Sequence, residues 1–249
     1  LPSFADFDQG RNFMTKFSFS DLILFENTDY LVINKPPYLS SLDDRHEAKN
    51  ILDLAKNYCE SAQLCHRLDK ETSGCLVIAK HALAYRHLAM QFENREVEKT
   101  YHAVVEGIHD FHGTLVDRNI LTSAKGVAKI SKEGKPAQTV LTTLATYLAH
   151  SLVECKPITG RLHQIRVHLA YLSSPISGDL LYGGKPVYLS ALKRRFNLKK
   201  QTEEFPIMQR VSLHAFSIRF LGVDGKEISI NAPYPKDFNV LVQQLEKNR

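Results

Sequence analysis

The string His66-Arg67-Leu68-Asp69-Lys70-Glu71-Thr72-Ser73-Gly74 sets one carboxylate between two cations, Arg67 and Lys70. Small hydroxyl and glycine residues suited to a tight turn follow it. The apolar run Cys75-Leu76-Val77-Ile78-Ala79 then reads as a buried strand. A carboxylate held at a sheet edge beside fixed positive charge stays ionised at neutral pH, the state a nucleophile or general base needs. The same residues also suit an N-capping or ion-paired aspartate in a loop. Tyr101 falls in a strand-like segment, on one face with Ala103 and Val105 by two-residue alternation. It offers either a ring face and a proton site or an ordinary core aromatic. Arg166 falls in a helix predicted over residues 161–172, opened by Thr159-Gly160 and closed near Pro175. There it borders the apolar stripe Leu162, Ile165, Leu169 and Leu172. A guanidinium at such a border requires a carboxylate or many acceptors, and a structural ion pair would meet that need.

These groups need a scaffold of mixed strands and helices. Residues 22–25 and 30–34 read as a strand pair around the turn Glu26-Asn27-Thr28-Asp29. Residues 47–60 read as a helix, with Ile51, Leu54, Ala55 and Tyr58 at helical spacing, and residues 81–94 as a second. Further strands are predicted over 100–105, 114–120, 138–147 and 151–157. A late hairpin, 213–221 with 227–231, turns around Val223-Asp224-Gly225, and a closing helix covers 237–247. Strands mostly adjacent, with helices interspersed, indicate an α+β mixed sheet instead of a doubly wound one. Residues 1–20, with scattered phenylalanines and no clear period, read as an N-terminal extension ahead of one domain over 21–249.

Composition bounds the function classes. The chain has 249 residues, 43% hydrophobic and 24% charged, as in an ordinary globular protein. A net charge of +5 permits a polyanionic partner without demanding one. The cysteines Cys59, Cys65, Cys75 and Cys155 have no C-x-x-C spacing, so no metal is expected, and reduced thiols point to the cytoplasm. No apolar run is long enough to span a membrane, and residues 1–20 lack signal-peptide character. No glycine-rich phosphate loop is present, so no nucleotide cofactor is expected. Monomeric action is the default expectation.

The 66–74 string resembles the signature of the RluA-type pseudouridine synthases, which isomerise uridine in RNA. Other segments resemble that family in the same order along the chain: Asn34-Lys35-Pro36, residues 99–107, residues 160–169, residues 178–183 and Leu213-His214-Ala215. The resemblance spans residues 22 to about 233. It implies the pseudouridine synthase fold, a mixed, largely antiparallel sheet flanked by helices with a central active-site cleft. It also implies RNA as partner, transfer or ribosomal, and no organic or metal cofactor. Many relatives carry an extra N-terminal RNA-binding domain of the S4 type, and too few residues precede Leu22 for one.

By the same resemblance Asp69 is the catalytic carboxylate, Tyr101 stacks on the target base, and Arg166 pairs with Asp69. Arg67 is implied to help flip the base, and Leu213 to lie beneath it, though a core leucine fits Leu213 equally. Arg161 and His163 are placed for RNA phosphate, or for a merely solvated helix end. Two departures stand out. Pro37-Tyr38 replaces the usual small residue and glycine, so Tyr38 is expected to reshape the cleft rim. An insertion over about 188–210 carries Lys193, Arg194, Arg195, Lys199 and Lys200, which would either touch RNA backbone or remain solvated. A catalytically silent RNA-binding or assembly factor on the same fold is the alternative. A carboxylate glycosidase would need two cooperating acids, and the motif's neighbours are basic.

Overall fold

The computed structural model describes residues 18–42, 50–124, 126–193, 195–198 and 203–249. The expected N-terminal extension lies outside the described residues up to residue 17, as do Arg194, Lys199, Lys200 and the start of the helix predicted from residue 47. The chain forms two compact units. The first runs up to Val97 and takes up Arg219–Pro233, and the second comprises Glu98–Ile218 and Tyr234–Arg249.

In the first unit β1 (Ile23–Glu26) and β2 (Tyr30–Lys35) form the expected antiparallel pair. The Asn27 side chain makes the turn, accepting from the N–H groups of Asp29 and Tyr30. Helix α1 (Ile51–Tyr58) starts at Asn50, whose side chain accepts from the Asp53 N–H at 3.0 Å. The short β3 (Gln63–Leu64), which no periodicity announced, pairs with the far end of β4 (Ser73–Ala79). Strand β4 is buried along its whole length, as its unbroken apolar run predicts. It pairs antiparallel with β2 from Tyr30–Ala79 to Lys35–Gly74, so the 66–74 string ends where β2 ends. Helix α2 (Ala82–Glu93) begins and ends as predicted, capped by His81, whose Nδ1 accepts from the Ala84 N–H.

The second unit holds β5 (Glu98–Glu106), β6 (Thr114–Asp117), β7 (Ile120–Thr122), β8 (Ala128–Ile130), β9 (Gln138–Thr146) and β10 (His150–Pro157). Strands β5, β10, β9 and β6 lie side by side in that order, all antiparallel. The strand expected over 114–120 stops at Asp117, and Ile120 opens a separate ribbon, β7 with β8. Helix α3 (Gln164–Tyr171), helix α4 (Leu189–Leu192), β11 (Leu213–Leu221) and, after β12 (Glu227–Asn231), helix α5 (Lys236–Lys247) complete the chain. Strands β11 and β12 form the predicted hairpin. The architecture is α+β with a mostly antiparallel sheet, as expected.

Both faces of β5 are covered. Ala103 and Val105 join Val153, Cys155, Ile165, Leu169 and Leu213 in one core cluster. Val104 faces the other way, with Leu152, Met208, Phe238 and Leu241. Helix α3 departs from the amphipathic helix predicted. It begins three residues later than expected, and every residue from Gln164 to Leu169 is buried. Its polar side is satisfied inside the protein. Gln164 Nε2 donates to the Gln138 carbonyl and to Thr139 Oγ1, and its Oε1 accepts from Thr159 Oγ1 and the Arg161 N–H. His168 bridges Thr139 Oγ1 at 2.9 Å and the Arg118 carbonyl at 3.1 Å. Buried polar groups persist only when so paired.

On β5, His102 stacks on Phe216 with centroids 4.1 Å apart and meets the Tyr234 hydroxyl at 2.5 Å. Burial pushes its imidazole down to about 4. The unfolded chain therefore takes up the proton first, so stability is full above about pH 6.5 and falls as pH drops toward 4. His150 and His168 are lowered by burial in the same sense. Urea unfolding at pH 7 and pH 5 is expected to show the loss, and His102→Gln is expected to lose less stability over that interval than the parent.

Candidate functional site

In the first unit the Asp69 loop is held by a buried cation. Lys35, at the end of β2, is fully buried. Its Nζ donates to the carbonyls of Pro36 (2.9 Å), Leu39 (2.8 Å) and Lys70 (3.1 Å). The ammonium thus ties the segment after β2 to the residue after Asp69. Further ties come from the Tyr38 N–H to the Lys70 carbonyl and from Ser41, whose hydroxyl donates to the Leu68 carbonyl and accepts from its N–H. The Thr72 N–H closes the turn on the Asp69 carbonyl at 3.0 Å. His66 accepts from the Val77 N–H through Nε2, pinning the loop's other end to β4. Asp69 is half-buried, while Arg67 and Lys70 are exposed.

Tyr38 has φ 64°, a left-handed conformation that costs a non-glycine residue about 1–2 kcal/mol. The glycine usual at this place in the family would adopt it without strain. The departure noted in the sequence therefore sits where the backbone itself favours glycine, and the substituted ring is partly exposed.

In the second unit Arg166 projects from α3 into a bidentate pair with Asp179. Nε lies 2.7 Å from Oδ2 and Nη2 2.8 Å from Oδ1. Both side chains are buried, at 11% and 1% exposure, so the pair is an internal one. Asp179 is presented by a tight turn, Leu180–Tyr182, in which its carbonyl accepts from the N–H groups of Tyr182 and Gly184. A Cβ on Gly184 would collide with the Ile176 carbonyl, so the turn requires glycine there. The Arg166 guanidinium also lies over the Tyr182 ring, 5.0 Å from its centroid. His163 caps α3 in a left-handed conformation, φ 52°, and its Nδ1 meets the Tyr182 hydroxyl at 2.9 Å. It is therefore a cap residue, not a residue within the helix.

The other expected residues distribute as follows. Tyr101 is half-buried against the cluster that contains Ala103, Val105 and Leu213, so the alternation argument for its face holds. Leu213 is a buried member of that cluster. Arg161 donates through Nε to the Pro136 carbonyl at 3.1 Å and is half-buried. Lys193 and Arg195 are exposed, whereas Leu192 and Met208 are buried in the α5-side core, so the ends of the expected insertion are part of the fold. Arg210 is a core cation paired with Asp237 at 2.7 Å. Three side chains escaped the sequence reading: Lys35, Asp179 and Tyr182. All lie inside family-like segments, but nothing in their spacing discloses which distant group each one meets.

Residues 29–171 match the family described as RNA pseudouridylate synthase, and the chain belongs to that family. The ribosomal large subunit pseudouridine synthase C of Haemophilus influenzae is 32% identical over 91% of this chain and 69% of its own. The protein of the same description from Escherichia coli (strain K12) is 33% identical over 92% of this chain and 72% of its own. Among solved structures, human RNA pseudouridylate synthase domain containing 4 superposes with TM-score 0.69 at 26% identity, covering 92% of this chain and 94% of that one. Human RNA pseudouridylate synthase domain containing 1 gives TM-score 0.64 at 27% identity, covering 90% and 94%. The protein is an RNA pseudouridine synthase of the RluA type.

Two stability predictions follow from the buried cations. Asp179→Ala leaves a buried guanidinium without its carboxylate and is expected to cost about 3–5 kcal/mol in urea unfolding. Joint replacement of Arg166 by Met and Asp179 by Leu is expected to recover most of that loss. Lys35→Met removes the donor to three carbonyls and is expected to cost about 1–3 kcal/mol. A parent-like unfolding curve for Lys35→Met would show that the loop does not depend on the ammonium.

Proposed function

We propose that Asp69 is the catalytic carboxylate and that the substrate is large-subunit ribosomal RNA. The observation that carries the first part is a double clamp, Lys35 on the Lys70 carbonyl and Ser41 on the Leu68 backbone, which holds the chain on both sides of Asp69 while leaving its side chain half-buried. A nucleophile or general base needs that combination of fixed placement and access. The second part rests on the relatives, both described as ribosomal large subunit enzymes.

Pseudouridine formation breaks the bond between ribose and uracil N1, turns the base and rejoins it through C5, with the C5 proton transferred to complete the isomerisation. In this reading Asp69 assists glycosidic cleavage through covalent or electrostatic action. Tyr101 stacks on the detached base and offers a phenol for proton handling. Leu213, a buried neighbour in the same cluster, supplies the apolar floor. Arg166, oriented by Asp179, serves as the fixed positive charge of the reaction, the role that the family resemblance gives it. Exposed Arg67 takes the gap left by the flipped base. Arg161, His163 and the exposed Lys193 and Arg195 meet phosphates, and Tyr38 shapes the rim. The enzyme acts as a monomer in the cytoplasm, a reducing compartment suited to its free cysteines.

Asp69→Asn tests the proposal. Pseudouridine formation in large-subunit RNA is expected to fall at least about a hundredfold, with RNA affinity little changed. Equal turnover by the variant would remove Asp69 from the chemistry. An unchanged pseudouridine map of large-subunit RNA after deletion of the gene would remove that substrate.

A further inference from the structure

Tyr182 meets the Arg166 guanidinium at a part of it that Asp179 does not cover. Asp179 holds one edge through Nε and Nη2. Two bonds to one edge set the direction of a planar cation, and a contact on its face adds a restraint against tilt about the axis joining the paired groups. The Tyr182 ring lies against the guanidinium, 5.0 Å from centroid to Cζ, where it opposes that tilt. The ring is itself anchored. Its hydroxyl accepts from the Ala128 N–H at 3.1 Å and sits 2.9 Å from His163 Nδ1. Tyr182 packs against the cluster of Ile120, Ala128, Ala137 and Val167, and Val167 directly follows Arg166 on α3. Asp179 and Tyr182 leave the same turn, which Gly183 ends at φ 91°. One rigid turn therefore delivers a carboxylate to the edge of the cation and a ring to its face.

We propose that Tyr182 is a positioning residue for the isomerisation: its ring face holds the plane of the Arg166 guanidinium, and its hydroxyl ties that ring to β8 and His163. The proposal rests on the role given to Arg166 above. Tyr182→Phe keeps the face and removes the hydroxyl, whereas Tyr182→Leu removes the face.

Single-turnover pseudouridine formation, RNA affinity and thermal midpoint are to be measured for both variants, alone and with Arg166→Lys. Tyr182→Leu is expected to slow the reaction by between about tenfold and a hundredfold, the scale of a small misplacement at a reacting centre, with RNA affinity unchanged. Tyr182→Phe is expected to lose less. In the Arg166→Lys background Tyr182→Leu is expected to add less than about a twofold further loss, because residues that act as one unit are not additive. Where Tyr182→Leu does not fold, Tyr182→Met takes its place with the same expectations. Equal losses in both backgrounds, or Phe as damaging as Leu, would overturn the proposal while leaving Arg166 in its role. Full activity of Arg166→Lys alone would instead overturn the role of Arg166, and the Tyr182 proposal with it.

Discussion

A guanidinium buried on a helix imposes demands that neighbouring elements must meet. Arg166 is largely withdrawn from water, so a carboxylate has to be brought to it, and Asp179 is brought by a turn whose backbone is closed by glycine. That turn has to lie beside α3, which requires α3 to be buried on every side. Burial on every side in turn obliges Gln164 and His168 to find partners in β9 and its flanks, which they do through Thr139, Gln138 and the Arg118 carbonyl. Charge placement, helix burial and the polar network beneath the helix are thus consequences of one another.

The same device recurs. Lys35 is a fully buried ammonium with three carbonyl partners. Arg210 is buried beside Asp237 and also donates to the Leu213 carbonyl at 3.4 Å, at the head of β11. Each cation sits where a regular element meets an irregular segment, where carbonyls lack ladder partners and need donors. A cation with several donors organises such a junction better than a neutral side chain can. In the Asp69 loop this ties the backbone at several points, although the loop belongs to no helix or strand.

Much of the scaffold was legible in the residues. The run 75–79 announced a buried strand, Val223-Asp224-Gly225 announced the hairpin, and His81 and Asn94 bracket α2 as predicted. The misreadings share a cause. Leu162, Ile165, Leu169 and Leu172 made α3 look amphipathic, because periodicity reports apolar contact and cannot tell solvent from an internal polar network on the other side. The β7–β8 ribbon and β3 are too short to show any period at all.

For the chemistry, sequence alone determined the candidate carboxylate and its cationic neighbours, since Arg67, Asp69 and Lys70 are set by covalent adjacency and a turn. It likewise determined that Tyr101 shares a face with Ala103, because strand alternation is local. Tertiary structure alone decided that Asp179 meets Arg166, that Lys35 holds the loop through carbonyls and that Tyr182 faces the guanidinium. Those pairings depend on where the chain returns in space and on which backbone oxygens point inward. Neither the spacing nor the type of a residue encodes that return.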